Sequence, residues 1–306
     1  MRDPELPRTA DSDGVPVQSR ECIFSVDVED WFHILDLESA PALEDWAGFP
    51  SRVENDFFRL LDLLEEAGVR ATCFFLGWVA HRYPHLVREA DRRGHEPASH
   101  GYAHRLAYRM GPHEFLEDAI RAKRIIEDAC GRAVCGYRAA GFSVTEQTPW
   151  FFEKLAEAGY SYDSSVFPAR RNHGGLSGAP PEPSLIQTAS GAVAEFPISV
   201  VPIFGVRLCF FGGGYLRLFP LRLIKAMAGR VLAEGRPVVF YVHPREIDPA
   251  QPRLKMPAAR RFRCYVNLRA ATDKLRTLLR CFRFTTFSAW LEHAGWIEEG
   301  IRCGSR

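Results

Sequence analysis

The ten residues Phe24-Ser25-Val26-Asp27-Val28-Glu29-Asp30-Trp31-Phe32-His33 combine the pattern of a β-strand with three closely spaced carboxylates. Apolar and polar residues alternate over the first half, as in a buried strand. An ionised carboxylate is costly to bury unless a partner compensates its charge. Two interpretations are open at this point: a strand that runs out into solvent, or a metal or acid/base site.

The composition is that of a globular protein with a large core. The chain has 306 residues, of which 46% are hydrophobic and 25% charged, enough for one α/β barrel or two smaller domains. A formal net charge of +1 gives no reason to expect nucleic acid or an acidic membrane as partner. No stretch approaches the roughly 18 apolar residues of a transmembrane segment.

The cellular location is predicted from the first residues and from the cysteines. Met1 to Glu21 is polar and has no apolar signal core, so it is predicted to be a loose tail. The eight cysteines are scattered, without a Cys-x-x-Cys pair, and several lie in apolar runs. They are predicted to be reduced thiols, and the protein is expected to be cytoplasmic.

Strand and helix signals alternate at least six times after the opening strand. Ser51-Arg52-Val53-Glu54 has the pattern of a capping box before an apolar helical stripe. Val69–Leu76 and His95–Ser99 are predicted strands, and Val238–Val242 is a fully apolar one. This alternation predicts parallel βα units, closed as a barrel or wound as an open sheet.

Conspicuous polar residues lie where predicted strands end, which is where βα barrels carry their working residues. They are Asp27, Glu29 and Asp30 after the first strand, His100 and His104 after the third, Arg138 after the fourth, Asp163 late in the fifth, and His243 after Val238–Val242. Taken singly, each has a simpler interpretation, such as a surface ion pair for Arg138 or a turn for Asp163. Five such positions on one edge are not expected by chance.

His100 and His104 are four residues apart, so the two imidazoles can converge from one turn. With one carboxylate they make the set of a catalytic metal site that leaves a coordination position open. Unrelated surface histidines are the alternative. Zn²⁺ fits the ligand types best, while Fe²⁺ uses the same set and Co²⁺ or Ni²⁺ are also compatible.

Several motifs together resemble those of the polysaccharide deacetylase family (NodB-homology, carbohydrate esterase 4-like). They are Ser25-Val26-Asp27-Val28-Glu29-Asp30, His100-x-x-x-His104, Arg138 with Gly141-Phe142, and His243. The resemblance implies a distorted (β/α) barrel of the NodB-homology type that removes acetyl groups from sugars with one divalent metal ion. His243-Pro244-Arg245-Glu246-Ile247-Asp248-Pro249 is similar to the subgroup found with exopolysaccharide and exosortase gene clusters.

The resemblance also implies roles for individual residues. Asp27 matches the catalytic base and His243 the general acid, while Arg138 matches the residue that orients the base. Asp163 corresponds to the acid that tunes the catalytic histidine. His100 and His104 match the metal histidines.

The metal carboxylate is left open between two neighbours. The adjacent Asp-Asp pair of the family is replaced here by Asp27-Val28-Glu29-Asp30. Strand alternation puts Glu29 on the same side as Asp27, whereas a strand that ends at Val28 would free Asp30. Asp30 is preferred, because Glu29 is longer than the short reach requires.

The sequence therefore predicts a hydrolase that removes acetyl groups, N-acetyl first, from an acetylated glycan or sugar precursor. Trp31, Tyr102 and Phe142 are expected to contact the substrate. The alternatives are hydrolysis of a non-peptide C–N bond in a small cyclic amide or ureide, and an inactive carbohydrate-binding relative. The oligomeric state is not predicted.

The predicted domain organisation is a tail over residues 1–21, a single barrel domain over 22–295 and a second tail over 296–306. Within the barrel domain, about 205–295 is predicted to form a subgroup-specific extension. The basic loop 253–263 is expected to face water rather than to grip an anionic substrate.

Overall fold

The structure, a computed structural model, describes residues 21–171 and 174–296. Its strands in this part of the chain are β1 Glu21–Val28, β2 Thr72–Phe75, β3 Glu96–Ser99, β4 Gly136–Tyr137, β5 Tyr162–Asp163, β6 Ser184–Thr188, β7 Gly191–Glu195, β8 Val201–Ile203, β9 Val206–Leu208, β10 Val238–Val242 and β11 Arg283–Thr285. Its α-helices there are α1 Val53–Glu66, α2 Gly77–Arg82, α3 Pro84–Arg92, α4 Pro112–Cys130, α5 Phe151–Glu157, α6 Gly213–Leu218, α7 Leu221–Ala233, α8 Ala258–Tyr265, α9 Leu268–Leu279 and α10 Phe287–His293.

One curved sheet organises these elements. Its order is β10-β1-β2-β3-β4-β5-β7-β6, with β11 also paired to β1. All pairings in this sheet are parallel except that of β6 with β7, and β8 and β9 form a separate hairpin. Because consecutive parallel strands are joined through helices, the carboxyl ends of β10 and of β1 to β5 lie along one edge.

Strand β1 lies at the centre of the sheet and is buried along its whole length. Alternate residues enter two apolar clusters: Phe24 and Val26 pack with the apolar face of α1, and Ile23 packs with Phe74 on the inner side of the curved sheet. By the same alternation Ser25 and Asp27 belong to the inner side. The opening strand therefore delivers its first carboxylate into the interior of the barrel rather than to solvent.

The start of α1 differs from the prediction. The expected capping box does not form, since the N-cap residue Arg52 makes no side-chain cap hydrogen bond. Instead the Asp30 carboxylate accepts hydrogen bonds from the Arg52 and Val53 backbone N–H groups at 3.1 and 3.3 Å, and from Ser51 Oγ at 2.5 Å. The free N–H groups at the helix N-terminus are thus satisfied by an acid from the end of the first strand.

Both predicted tails fall outside the described residues except at their inner ends, where Glu21 belongs to β1 and Trp296 follows α10. Six of the cysteines are free thiols: Cys22, Cys73, Cys130, Cys209, Cys264 and Cys281. Cys135 is disulfide-bonded, so the expectation of reduced thiols does not hold there. Among the described helices, none has the length and apolar character needed to span a membrane.

The buried Asp56 in α1 makes the stability of the fold depend on pH. Burial and the nearby Asp248 carboxylate raise the pKa of Asp56 to about 7. An unfolded aspartate has a pKa of about 3.9, so the folded chain holds this proton more tightly and loses stability as pH rises from about 4 to about 7. We expect Asp56→Asn to stabilise the protein by about 4 kcal/mol more at pH ~8 than at pH ~4.

Thermal melts at several pH values test this prediction. Asp62→Asn on the same helix is the matched control, because Asp62 is exposed and its variant should show no such pH-dependent gain. An equal effect of Asp56→Asn at both pH extremes would show that folding does not shift the pKa of Asp56.

Candidate functional site

A cleft of about 530 Å³ opens at the carboxyl edge of the sheet. Of the residues predicted to form the site, those that line the cleft are Asp27, Glu29, His100, His104, Phe142 and His243. They come from the ends of β1, β3 and β10 and from the loop after β4. Parallel strands in register bring together residues that are more than 200 positions apart in the chain, such as Val26 and Val242.

Glu29 lies at the centre of this group. Its Oε1 atom is 3.8 Å from His100 Nε2, 3.5 Å from His104 Nε2 and 3.2 Å from His243 Nε2. Its Oε2 atom is buried and has no hydrogen-bond partner among the described residues. Burial would raise the pKa of Glu29, but its interactions with His104, His243 and His100 outweigh burial and lower it well below its usual range. An ionised, partly unsatisfied carboxylate among imidazoles is a chemical environment that suits a cation.

The two histidines predicted to bind a metal, His100 and His104, are held in a form that can bind an ion. His100 Nδ1 lies 2.7 Å from the backbone carbonyl oxygen of Arg138 and donates to it, which leaves the Nε2 lone pair free. Burial lowers the pKa of His104, which favours the neutral ring that a metal ligand requires. The ligand atoms of Glu29, His100 and His104 all lie within 4.8 Å of one another. This donor set fits the ligand types of a divalent ion such as Zn²⁺.

The preference for Asp30 over Glu29 as metal carboxylate is not supported by the geometry. Strand β1 does end at Val28, as that interpretation required. The Asp30 carboxylate, however, is occupied by hydrogen bonds from Ser51 and from the first turn of α1, and the Trp31 N–H donates to it at 2.8 Å. Turning the Asp30 carboxylate toward the cleft would break these hydrogen bonds and would therefore cost free energy.

Asp27 is held by a buried ion pair. Arg138 Nη1 lies 2.7 Å from Asp27 Oδ1 and 2.8 Å from Ser25 Oγ. The guanidinium is fully buried, donates to the Ser164 carbonyl and hydroxyl oxygens, and packs 4.1 Å from the Phe74 ring centroid. The second oxygen of Asp27 lies 3.8 Å from His243 Nε2. Arg138 therefore fixes one oxygen of the Asp27 carboxylate, and the other oxygen faces the cleft.

His243 is flanked by two acids. Its Nδ1 lies 2.8 Å from Glu246 Oε1, and Glu246 Oε2 is 3.6 Å from Arg217 Nε. Burial would lower the pKa of His243, but the charge of Glu29 and the hydrogen bond to Glu246 outweigh it and raise the pKa to about 9. The imidazole is therefore protonated near neutral pH, as a general acid should be.

Asp163 does not contact His243, which corrects the expectation that it tunes this histidine. Its carboxylate accepts from the Ser165 N–H and Oγ, and Ser165 Oγ in turn accepts from the Ala139 N–H beside Arg138. Burial, with the charge of Asp163, raises the pKa of Glu195 well above its usual range, so these two neighbouring acids share one proton. Through Ser165, Asp163 thus stabilises the loop that carries Arg138.

Of the three expected substrate contacts, only Phe142 lines the cleft. Trp31 is buried with Phe32 and Trp46, and its indole N–H donates to the Pro50 carbonyl. Tyr102 is buried below the Arg121 guanidinium, 3.4 Å from its ring centroid. Trp31 and Tyr102 are adjacent to motif residues in the sequence, but adjacency does not expose a side chain. Their aromatic rings are more stable in the core.

Two residues of the site were not predicted as such. Glu246 lies three positions after His243 in a 3₁₀ turn, Pro244–Ile247, and the spacing was visible in the sequence. His33 also lines the cleft; its Nδ1 accepts from the Asp30 N–H at 3.0 Å, so Nε2 carries the proton. That Nε2 is buried without a partner among the described residues and is available to a bound molecule.

Comparison with known families agrees with this geometry. A family model described as polysaccharide deacetylase matches residues 49–162. This stretch of the chain is therefore similar to polysaccharide deacetylases. A second model, a domain of unknown function (DUF3473), matches residues 164–292. The deacetylase match includes His100, His104 and Arg138, whereas His243 and Glu246 belong to the second match.

Curated relatives match this chain over part of their length. The chain is 32% identical over 88 residues to the chitooligosaccharide deacetylase of Bradyrhizobium sp. (strain ANU 289). That stretch is 29% of this chain and 40% of the relative, so the chain spans less than half of the relative's length.

Solved structures share the fold of the deacetylase domain. A putative polysaccharide deacetylase from Mycobacterium smegmatis is 21% identical, with a TM-score of 0.63 over 99% of both chains. Puue allantoinase is 18% identical, with a TM-score of 0.61 over 96% of this chain and 98% of its own. The predicted distorted (β/α) barrel of the NodB-homology type is confirmed.

Proposed function

We propose that this protein is a metal-dependent hydrolase that removes acetyl groups from a glycan or sugar precursor, with N-acetyl as the favoured group. The observation that carries the proposal is the convergence of Asp27, Glu29, His100, His104 and His243 on one cleft. Such a set supplies a metal site, a base and an acid within a few ångströms, which amide hydrolysis requires. The match to the polysaccharide deacetylase family supports the same reaction class.

Glu29, His100 and His104 would hold the divalent ion, with Zn²⁺ preferred by ligand type and Fe²⁺, Co²⁺ or Ni²⁺ compatible. When bound, such an ion supplies Lewis-acid polarisation of the acetyl carbonyl. The second group of convergent donors, Asp27, Glu29 and His243, shares Glu29 with the first. That sharing would place the base and the acid beside the bound acetyl group.

Asp27 acts as the general base in this proposal. It takes the proton of the attacking water with Oδ2, because Oδ1 is held by Arg138 at 2.7 Å. The ion pair and the Ser25 hydroxyl keep the carboxylate in one orientation, so little reorganisation precedes proton transfer. Arg138 itself acts as a positioning residue.

His243 acts as the general acid. Its protonated imidazole donates the Nε2 proton to the departing amine, which splits the tetrahedral centre into acetate and the free amino sugar. Glu246 orients the ring through Nδ1 and keeps it charged, as a carboxylate behind a catalytic histidine does. Proton balance is kept, since the water proton goes to Asp27 and the His243 proton leaves with the amine.

The shape of the cleft favours a glycan over a small cyclic ureide. Tyr215 and Phe262 line it with 40% and 56% of their surface exposed, so the cleft is open at its rim. A ring-sized substrate would be enclosed more completely, since small-ligand sites bury most of the ligand. The retained acid, base and ligand set argues against an inactive carbohydrate-binding relative. The exopolysaccharide subgroup and the cytoplasmic location remain predictions.

Metal analysis combined with an acetate-release screen tests the proposal. The purified protein should contain a stoichiometric divalent ion and release acetate from at least one N-acetylated oligosaccharide, with loss on chelation and recovery on adding Zn²⁺. Allantoin serves as the cyclic-ureide comparison. Hydrolysis of allantoin without acetate release, or undiminished acetate release after metal removal, would contradict the proposal.

Replacing Glu246 with glutamine is expected to lower kcat while the metal site stays intact. Gln keeps the size of the side chain but loses the charge that holds His243, and a hydrogen bond to a charged group is worth about 1.5–3 kcal/mol. This corresponds to a decrease of about 10- to 100-fold in kcat. KM and metal content should not change.

Asp273→Asn, which removes an acid that is 85% exposed in α9, controls for a general charge effect and should keep full kcat. A loss of metal that parallels the loss of kcat in Glu246→Gln would place Glu246 around the ion rather than behind His243.

A further inference from the structure

Six arginines from the second half of the chain line the cleft. They are Arg170, Arg171, Arg217, Arg245, Arg260 and Arg263. All six lie within residues 164–292, the region matched by the domain of unknown function. Arg260 and Arg263 come from the basic stretch 253–263, which therefore does not simply face bulk water as predicted.

The acids that line the cleft do not neutralise these arginines. These acids are Asp27, Glu29, Asp36 and Glu246, so six arginines against four carboxylates leave a net charge of +2 before any histidine is counted. Asp27, Glu29 and Glu246 belong to the catalytic centre, and Asp36 is already paired with Arg109 at 2.8 Å. The rim of the cleft is thus positive in a chain whose formal net charge is only +1.

Three of these guanidinium groups have no hydrogen-bond partner among the described residues: Arg170, Arg245 and Arg263. Arg245 Nε is in addition buried, so a charged donor lies unsatisfied at the inner part of the cleft, two residues from His243. A buried donor without a partner is costly and calls for an acceptor that arrives with a ligand. Arg170 and Arg263 are exposed and can meet a ligand at the rim.

The other three arginines keep their charge although they are bonded. Arg171 donates to the Gly141 carbonyl at 3.1 Å, and Arg260 donates to the Leu35 and Asp36 carbonyls. Carbonyl oxygens orient a guanidinium without neutralising it. Of these three arginines, Arg217 lies near a carboxylate, that of Glu246 at 3.6 Å. The arrangement holds several cations in fixed positions around a cleft in which low-dielectric walls focus the field.

We propose that the cleft selects an acidic glycan, one that carries a carboxylate or phosphate group close to the acetylated sugar. Arg245 binds the anionic group nearest the reacting acetyl group, and Arg170 and Arg263 bind further anionic groups at the rim. Guanidinium groups pair with both kinds of oxyanion through two parallel hydrogen bonds. The inference that the ligand is a glycan rests on the proposed function. The preference for an anionic ligand does not depend on catalysis.

Binding to an inactive variant separates the two ideas. His243→Asn, loaded with its metal, is titrated by calorimetry with three probes: chitotetraose as the neutral probe, a hyaluronan tetrasaccharide for the carboxylate, and UDP-N-acetylglucosamine for the phosphate. At least one acidic probe should bind about 10-fold or more tightly than chitotetraose at low salt, with the gap closing as salt rises to about 0.5 M. Whichever acidic probe binds more tightly identifies the source of the anion.

Charge-matched variants locate the effect. Arg170→Gln with Arg263→Gln should reduce affinity for the acidic probe by about 10-fold and leave chitotetraose binding unchanged. Arg222→Gln with Arg269→Gln removes the same charge from exposed positions that do not line the cleft and should change neither affinity.

Equal binding of neutral and acidic probes would overturn the inference, and so would equal losses in the two double variants. Acetate release by the unmutated protein is measured separately on chitotetraose and on the hyaluronan tetrasaccharide. Acidic preference in binding without any acetate release would contradict the proposed function and leave this inference in place. Acetate release with no acidic preference in binding would support the proposed function and contradict this inference.

Discussion

Glu29→Gln is expected to abolish divalent metal binding and acetate release together. Glu29 Oε1 lies within 3.8 Å of three imidazole Nε2 atoms, and the other oxygen is buried without a partner. An amide at this position removes the only charge in the Glu29, His100 and His104 set. Loss of an outer partner of a metal ligand costs about 10- to 100-fold in affinity, so loss of the charged ligand itself should exceed about 100-fold.

Metal content by elemental analysis and acetate release at saturating Zn²⁺ measure both losses. Asp30→Asn is the matched control, since it changes the neighbouring carboxylate in the same way. It should keep metal and kcat but unfold more easily by about 1–2 kcal/mol, because the α1 N-terminus loses the charge on its cap. The reverse outcome, metal lost in Asp30→Asn and kept in Glu29→Gln, would show that the acid at the metal is Asp30.

Asp27→Asn is expected to lower kcat by about 10² to 10⁴-fold with the metal still bound, because a general base contributes this much. Its Oδ2 is the oxygen left free by Arg138, and an amide cannot take a proton from water. Steady-state acetate release with metal analysis on the same preparation separates this loss from that of Glu29→Gln. A variant that keeps a tenth or more of the unmutated kcat would exclude Asp27 as the base.

The stability of Asp27→Asn must be followed at the same time. Removing one partner of a buried ion pair costs up to about 3–5 kcal/mol. Arg138 keeps its hydrogen bonds to Ser25 and Ser164, so the variant should remain folded at the assay temperature. Melting curves with and without Zn²⁺ check this, and a folded, metal-loaded and inactive protein is the expected result.

Most of the elements that carry the site could be predicted from local sequence. Val238–Val242 is an apolar run of strand length, and the stretch from Phe24 alternates as a buried strand does. Each carries a polar residue at or near its carboxyl end that reaches the cleft. Parallel strands align their carboxyl ends, so residues in separate stretches of the chain were expected at one edge before any coordinates. His100 and His104 followed from their spacing after β3.

Partners across long sequence separations could not be predicted in the same way. Asp30 was preferred on length alone, but the N–H groups of Arg52 and Val53 bind it, and nothing in the opening strand signals how α1 returns to that point. Asp163 was expected beside His243, yet Glu246 lies there because a 3₁₀ turn brings it back by three residues. Trp31 and Tyr102 are buried by contacts from other segments.

The sequence by itself determined the βα alternation, the edge at which the polar residues gather, and residue types that are compatible with the proposed metal-assisted hydrolase, because periodicity and strand polarity are local properties of the chain. Tertiary structure alone decided which carboxylate faces the histidines, which acid supports His243 and which arginines surround the cleft. These side-chain partners depend on competition among hydrogen-bond donors that come from distant segments of the chain. Each buried carboxylate pairs with the donors that would otherwise be unsatisfied.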